Sequence, residues 1–216
     1  MSQKMVLTGM VLSSAPAGDY DRRVVLLTKE AGKIAVFARG SRRQNSPLLA
    51  ASSPFCFGTF TVYEGRTAYT LVSAEISQYF EQVKADFEAT CYGCYFMEFA
   101  DYYGQENLDA SMMLNLLYAS LLALGRESLP DRLVRYVFEI RLMVINGEYP
   151  QDLAEDEALP EAVRYTLYYA IHAPLQKLYT FVVRNEVLEN IAKLQDQIRE
   201  RYVDRRFHSL ELLTSG

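Results

Sequence analysis

The chain has 216 residues, half of them hydrophobic, which is enough apolar material for one large core or two modest ones and sets an expectation of one to two domains. No apolar run approaches the roughly 18 residues of a membrane helix, and MSQKMVLTG carries no signal-peptide core, so a soluble cytosolic protein is expected. Three cysteines, Cys56, Cys91 and Cys94, exclude a disulfide framework, and a net charge of −5 argues against nucleic acid unless the charge is unevenly placed.

It is uneven. Residues 1–78 hold nine basic against five acidic side chains, so the remainder of the chain carries nine net negative charges. The same first third reads as strands: VLTGMVLSS (6–14), DRRVVLLT (21–28), GKIAVFAR (32–39), FGTFTVYEG (57–65) and TAYTLVSAEI (67–76) are short, β-branched and aromatic, and separated by turn-forming residues. ARGSRRQNSPLLAASSP, between the third and fourth strands, is too long for a hairpin and predicts an excursion with a short helix. Five strands with an insertion after the third fit a small OB-type barrel.

Beyond Ser77 the apolar period changes to three and four. Phe80, Val83 and Phe87 predict one amphipathic helix; Met113, Leu116, Leu117, Leu121 and Leu124 another, closed by Gly125; Leu133, Val137, Ile140 and Val144 a third, closed by Gly147 and Pro150. Leu159-Pro160 opens the next segment, and Val187, Ile191, Leu194 and Ile198 form the stripe of a long last helix. The acidic stretch QDLAEDEALPE (151–161) reads as a flexible link. The expected fold is α+β and multidomain: an OB-fold barrel over 1–78 as the nucleic-acid-binding part, then an all-α helical domain over 79–216.

Catalytic material is sparse. His172 and His208 lie far apart with no HExxH spacing, and there is no Gly-rich phosphate loop. Cys91-Tyr-Gly-Cys94 is a CxxC without a second pair to complete a zinc site, and its helical apolar spacing reads as small fillers on a buried face. No enzyme activity, cofactor or metal is expected. The Tyr165, Tyr168 and Tyr169 cluster reads as mainly core, and the run Arg199, Arg201, Arg205, Arg206 and His208 as cations at a helix C-terminus.

The informative constellation is basic: Arg39, Arg42 and Arg43 in ARGSRRQNS, Arg22 and Arg23 at the start of the second strand, Lys29 and Lys33 at the turn after it. Guanidinium groups offer paired donors to phosphate oxygens, and a Ser/Gly/Asn-rich loop lets backbone N–H groups approach as well. These seven residues are the expected nucleic-acid contacts. Tyr63, Tyr69, Phe37 and Phe60, on the same strands, are candidates for base stacking.

Taken in order, Thr8-Gly9-Met10-Val11-Leu12, Asp21-Arg22, Thr28 to Gly32-Lys33, Ala38 to Arg43, then FEIRLMVINGEYP (138–150) and the terminal RRFHSLELL (205–213), resemble the DNA repair protein RecO family of bacterial recombination mediators. The resemblance implies an OB-fold head, a helical C-terminal domain, and binding of single- and double-stranded DNA with annealing of complementary strands. It also implies cooperation with RecR in loading RecA onto strands covered by single-stranded DNA-binding protein, in a cytoplasmic, nucleoid-associated setting without membrane contact. One departure is plain: many members carry a four-cysteine zinc site after the Gly-x-x-Pro turn, where this chain has QDLAEDEALPEAVRY, so no zinc is expected. The competing readings are an OB module for RNA, since nothing in the sequence reads a 2′-hydroxyl, and a protein-interaction scaffold.

Overall fold

The computed structural model describes residues 3–66 and 68–214. Its first element, β1 (Gln3–Ala17), is long enough to serve two neighbours: Gln3–Met10 pair antiparallel with β4 (Phe57–Glu64), and Gly9–Ala17 with β2 (Asp21–Thr28). A register shift between Val11 and Ser13 accompanies the handover. β2 pairs with β3 (Gly32–Ala38), β4 pairs with β5 (Tyr69–Gln78), and a short parallel contact, Val36 to Tyr69 and Phe37 to Thr70, closes the barrel in the order β1-β2-β3-β5-β4. The five expected strands are all present; Thr67, the expected first residue of the fifth, lies outside the described residues. Alternation sends Leu7, Val24, Leu26, Ile34, Val36, Phe60, Val62 and Leu71 into one core. Gly9 is required where β1 crosses, because a Cβ there would lie 2.5 Å from the Leu27 carbonyl oxygen. The excursion between β3 and β4 carries the short helix α1 (Leu48–Ala51).

The helices follow: α2 (Glu81–Lys84), α3 (Phe87–Tyr103), α4 (Ser111–Ala123), α5 (Asp131–Ile145), α6 (Glu161–His172), α7 (Asn185–Tyr202) and α8 (His208–Thr214). Gly125 and Gly147 adopt left-handed backbone, as their place after α4 and α5 requires. Three expectations are corrected. Phe80, Val83 and Phe87 do not share a helix: Phe80 has φ +51, and the Asp86 carboxylate accepts a 2.7 Å hydrogen bond from the Ala89 N–H, starting α3 afresh and leaving Phe87 exposed. The acidic stretch is folded, with a 3-10 turn over Gln151–Glu155 running into α6. Tyr165 and Tyr168 are exposed rather than core.

The chain divides into two compact units, Met1–Glu81 with Met97–Leu114, and Gln82–Phe96 with Asn115–Gly216. The contiguous boundary at 78/79 expected from composition is therefore modified, because the segment after α3 returns to the barrel. There Lys33 N–H donates to the Gln105 carbonyl (2.9 Å), Asn107 N–H to the Ala31 carbonyl (3.0 Å), and Gly32 bridges Glu106. Gly32, at φ +66, is indispensable: a Cβ would lie 2.1 Å from the Gln105 carbonyl oxygen. Thr28 completes the turn, its hydroxyl donating to the Gly32 carbonyl and accepting from the Ala31 N–H.

Within the second unit, α5, α6 and α7 pack on one another, with Phe96 stacked on Phe138 at 4.2 Å and Leu188, Ile191, Ala192 and Ile198 as the buried stripe of α7. An ionic cluster is buried there. Glu139, fully enclosed, accepts from the Tyr95 hydroxyl (2.7 Å) and from Arg135 Nε (2.8 Å), while Arg135 and Arg199 both reach Asp196. Burial opposes the Arg135 charge, but the Glu139 carboxylate outweighs it and holds the guanidinium above its ordinary value. Among the described residues, no helix is long and apolar enough to cross a membrane.

Candidate nucleic-acid interface

The seven expected contact residues all fall on the barrel unit, but they do different things. Arg22 is tied down: its Nη1 donates to the Leu49 carbonyl (2.9 Å) and to Ser52 Oγ (3.0 Å), anchoring α1 to β2. Lys33 is also committed, donating to the Asp101 carbonyl at 2.5 Å and pairing with its carboxylate at 3.3 Å. Both act as fastenings, Lys33 with its charge matched by Asp101 and Arg22 with donors occupied by uncharged oxygens.

Arg39, Arg42 and Arg43 stand exposed on the loop after β3, and that loop is held in place. The Asp21 carboxylate accepts from the Gly40 N–H (2.7 Å), the Arg42 N–H donates to the Tyr20 carbonyl (2.9 Å), and Arg42 Nη1 donates to the Gly18 carbonyl (3.0 Å). The Arg43 guanidinium lies 5.1 Å from the centre of the exposed Tyr20 ring. Three exposed guanidinium groups thus share one loop, pinned to the turn between β1 and β2. Lys29 is exposed at the opposite turn, where its charge helps hold the Asp109 carboxyl below its usual range, behind the larger effect of hydrogen bonds from Ser111.

Arg23 points outward from β2 into a groove of about 410 Å³ lined also by Phe37, Glu64, Arg66, Tyr69 and Glu106. Arg66, in the loop after β4, is a cation outside the clustered basic residues, marked in the sequence only by an isolated Gly-Arg between two strands. The groove is not uniformly positive. Partial burial, reinforced by the Glu106 and Glu64 carboxylates, pushes the Tyr69 hydroxyl above its ordinary value. Of the four candidate stacking rings, Phe60 is buried in the core and Tyr69 is half-buried, whereas Phe37 and Tyr63 are 36% and 41% exposed.

The four-cysteine zinc pattern has no counterpart after the Gly-x-x-Pro turn. The Gly-x-x-Pro turn at Gly147–Pro150 runs into the 3-10 turn and α6, residues 151–180 contain no cysteine, and among the described residues no group of three or more His, Cys, Asp or Glu is placed to hold a metal. Cys91 and Cys94 sit one turn apart on α3; burial pushes the Cys91 thiol up, the opposite of an activated cysteine.

The family model described as Recombination protein O N terminal matches residues 1–80, and that described as Recombination protein O C terminal matches residues 84–152. The DNA repair protein RecO of Acetivibrio thermocellus is 25% identical over 95% of this chain and 94% of its own length. The proteins of that name from Alkaliphilus metalliredigens and Bacillus subtilis are 31% and 30% identical over 66% of this chain, matching 58% and 56% of their lengths. With a five-stranded barrel closed as an OB-fold, helices after it, and both family models in sequence order, the chain belongs to the recombination protein O family.

Proposed function

We propose that this protein serves DNA repair as a recombination mediator without catalysis of its own: it binds single- and double-stranded DNA, anneals complementary strands, and helps load RecA together with RecR. The observation that carries this reading is the pinned loop with three exposed guanidinium groups. A pre-positioned cluster of exposed arginines neutralises phosphates regardless of sequence, and releases their counterions as it does so. Annealing follows when two backbones are screened and base edges stay free. In this reading Arg23, Lys29, Arg39, Arg42 and Arg43 meet phosphates, while Arg22 and Lys33 keep the surface in shape. For the tail of single-stranded DNA-binding protein we propose the groove of the helical unit lined by Val203, Phe207 and Leu210, where Arg205 and Arg206 stand beside Glu200, Asp204 and Glu211.

The test is anisotropy of a labelled single-stranded DNA across a salt series, for the wild type and for Arg39→Ala/Arg42→Ala/Arg43→Ala. The triple variant is expected to lose at least ten-fold in affinity at low salt and to flatten the log–log salt slope by about 2, from roughly 0.7 per phosphate contact on single strands. An unchanged slope removes the loop from the interface; a wild type that binds no DNA removes the reading.

A further inference from the structure

Strand register places a row of residues side by side across the outer face of the barrel. Ala15 pairs with Arg23, Arg23 with Phe37, Phe37 with Thr70, Thr70 with Tyr63, and Tyr63 with Lys4. Residues paired in this way project to the same face, and none of the six is buried, whereas the adjoining row of Val24, Val36 and Val62 is fully buried. Phe37 and Tyr63 therefore stand two strands apart, about 10 Å at the usual strand spacing, with the small Thr70 between them and Arg23 and Lys4 beyond. A single exposed ring is ordinary, but here two stand in one row of the same face, which makes the face a candidate contact surface.

The groove beside Phe37 adds a directional element. Arg23 and Arg66 attract phosphate, but Glu64 and Glu106 repel it. A strand whose backbone follows the arginines would turn its bases, not its phosphates, toward the carboxylates and the rings. From this arrangement we infer that Phe37 and Tyr63 form a stacking platform for unpaired bases, and that this face selects single-stranded over double-stranded nucleic acid. This rests on the nucleic-acid reading above and names the part of the strand that the arginine loop leaves unrecognised. A duplex, its bases already stacked and paired, presents nothing to the platform; an extended single strand presents a π-face at every step.

The experiment uses the full chain and two labelled probes of equal length and charge, an oligo-dT and its abasic counterpart. The wild type is expected to prefer oligo-dT, and Phe37→Ala and Tyr63→Ala each to reduce that preference by on the order of ten-fold, with the salt slope unchanged. Phe37→Tyr and Tyr63→Phe are expected to restore it. Because the chain has no tryptophan, Phe37→Trp and Tyr63→Trp supply a direct readout: oligo-dT quenches the indole and the abasic strand does not. An alanine variant that keeps the full preference, or an indole indifferent to oligo-dT, overturns the platform while leaving the arginine loop intact. Loss of RecR binding with the preference retained overturns it in favour of a protein-docking face. A wild type that binds neither probe removes both readings together.

Discussion

Arginine has opposite duties in the two units. On the barrel, Arg39, Arg42 and Arg43 are exposed to solvent, the Arg42 guanidinium donating to the Gly18 carbonyl; in the helical unit, Arg135 and Arg199 are largely buried against carboxylates. The first kind keeps its charge available to a visiting anion, and the second has spent it on Glu139 and Asp196. The lesson is that a basic run in a sequence identifies a site only after its internal partners have been subtracted. Even on the barrel the subtraction matters, because Lys33 is paired with Asp101 and the Arg22 guanidinium is held by the Leu49 carbonyl and Ser52 Oγ, although both side chains are only partly buried.

The largest effect that breaks this contrast comes from Glu139→Gln. It leaves two buried guanidinium groups facing an amide, and the expected loss is about 3–5 kcal/mol of unfolding free energy, measured by urea denaturation. DNA affinity of the folded fraction should be untouched. A loss below about 1 kcal/mol would mean that the cluster is relieved by solvent and that the two units handle arginine alike.

A smaller effect sharpens the division within the barrel. Arg22→Ala removes donors to Leu49 and Ser52 and is expected to cost about 1–2 kcal/mol, with a salt slope for DNA close to wild type. Lys33→Ala should behave in the same way. The triple arginine variant of the loop should show the reverse, steady melting and a flattened slope. If Arg22→Ala flattens the slope as the loop variant does, the fastening is also a contact.

The smallest effect concerns alkaline pH. Burial pushes the Tyr92 hydroxyl up to about 12 and holds Tyr95, Tyr136, Tyr149 and Tyr179 above the ordinary phenol value, all in the helical unit. Because these groups favour the neutral form when folded, their contribution is complete below the unfolded value near pH 10 and is lost as pH rises through the folded values. The melting temperature should be insensitive to these groups through neutrality and fall above about pH 10. Absorbance titration should show some of the 16 tyrosines ionising only as the chain unfolds.

Much of the fold was legible because local signals agreed. The barrel strands combined alternation with turn residues, α4 and α5 combined apolar stripes with glycine or proline stops, and α7 showed an apolar stripe. Where the reading failed, a non-local cause intervened. Phe80, Val83 and Phe87 have faultless helical spacing, but the Asp86 cap restarts the chain between them. Tyr165 and Tyr168 look like core by composition, yet exposure is decided by which face of α6 finds a neighbour. The candidate site was half legible: residue types pointed to the exposed loop, but the distinction between Arg22 and Arg43, or between buried Phe60 and exposed Phe37, needs the register and the partners of each side chain.

The return of residues 97–114 to the barrel unit has a consequence for synthesis. The turn between β2 and β3 is made early, but Asp101, Gln105 and Asn107, which fasten it, are added some seventy residues later. A chain emerging from the ribosome therefore carries its five strands before it has the means to secure them, and the barrel is finished only after α3 has emerged. Fragments cut at residue 78 stop at that intermediate stage, with the Lys33 donors and the Ala31 carbonyl held out to a segment that never arrives.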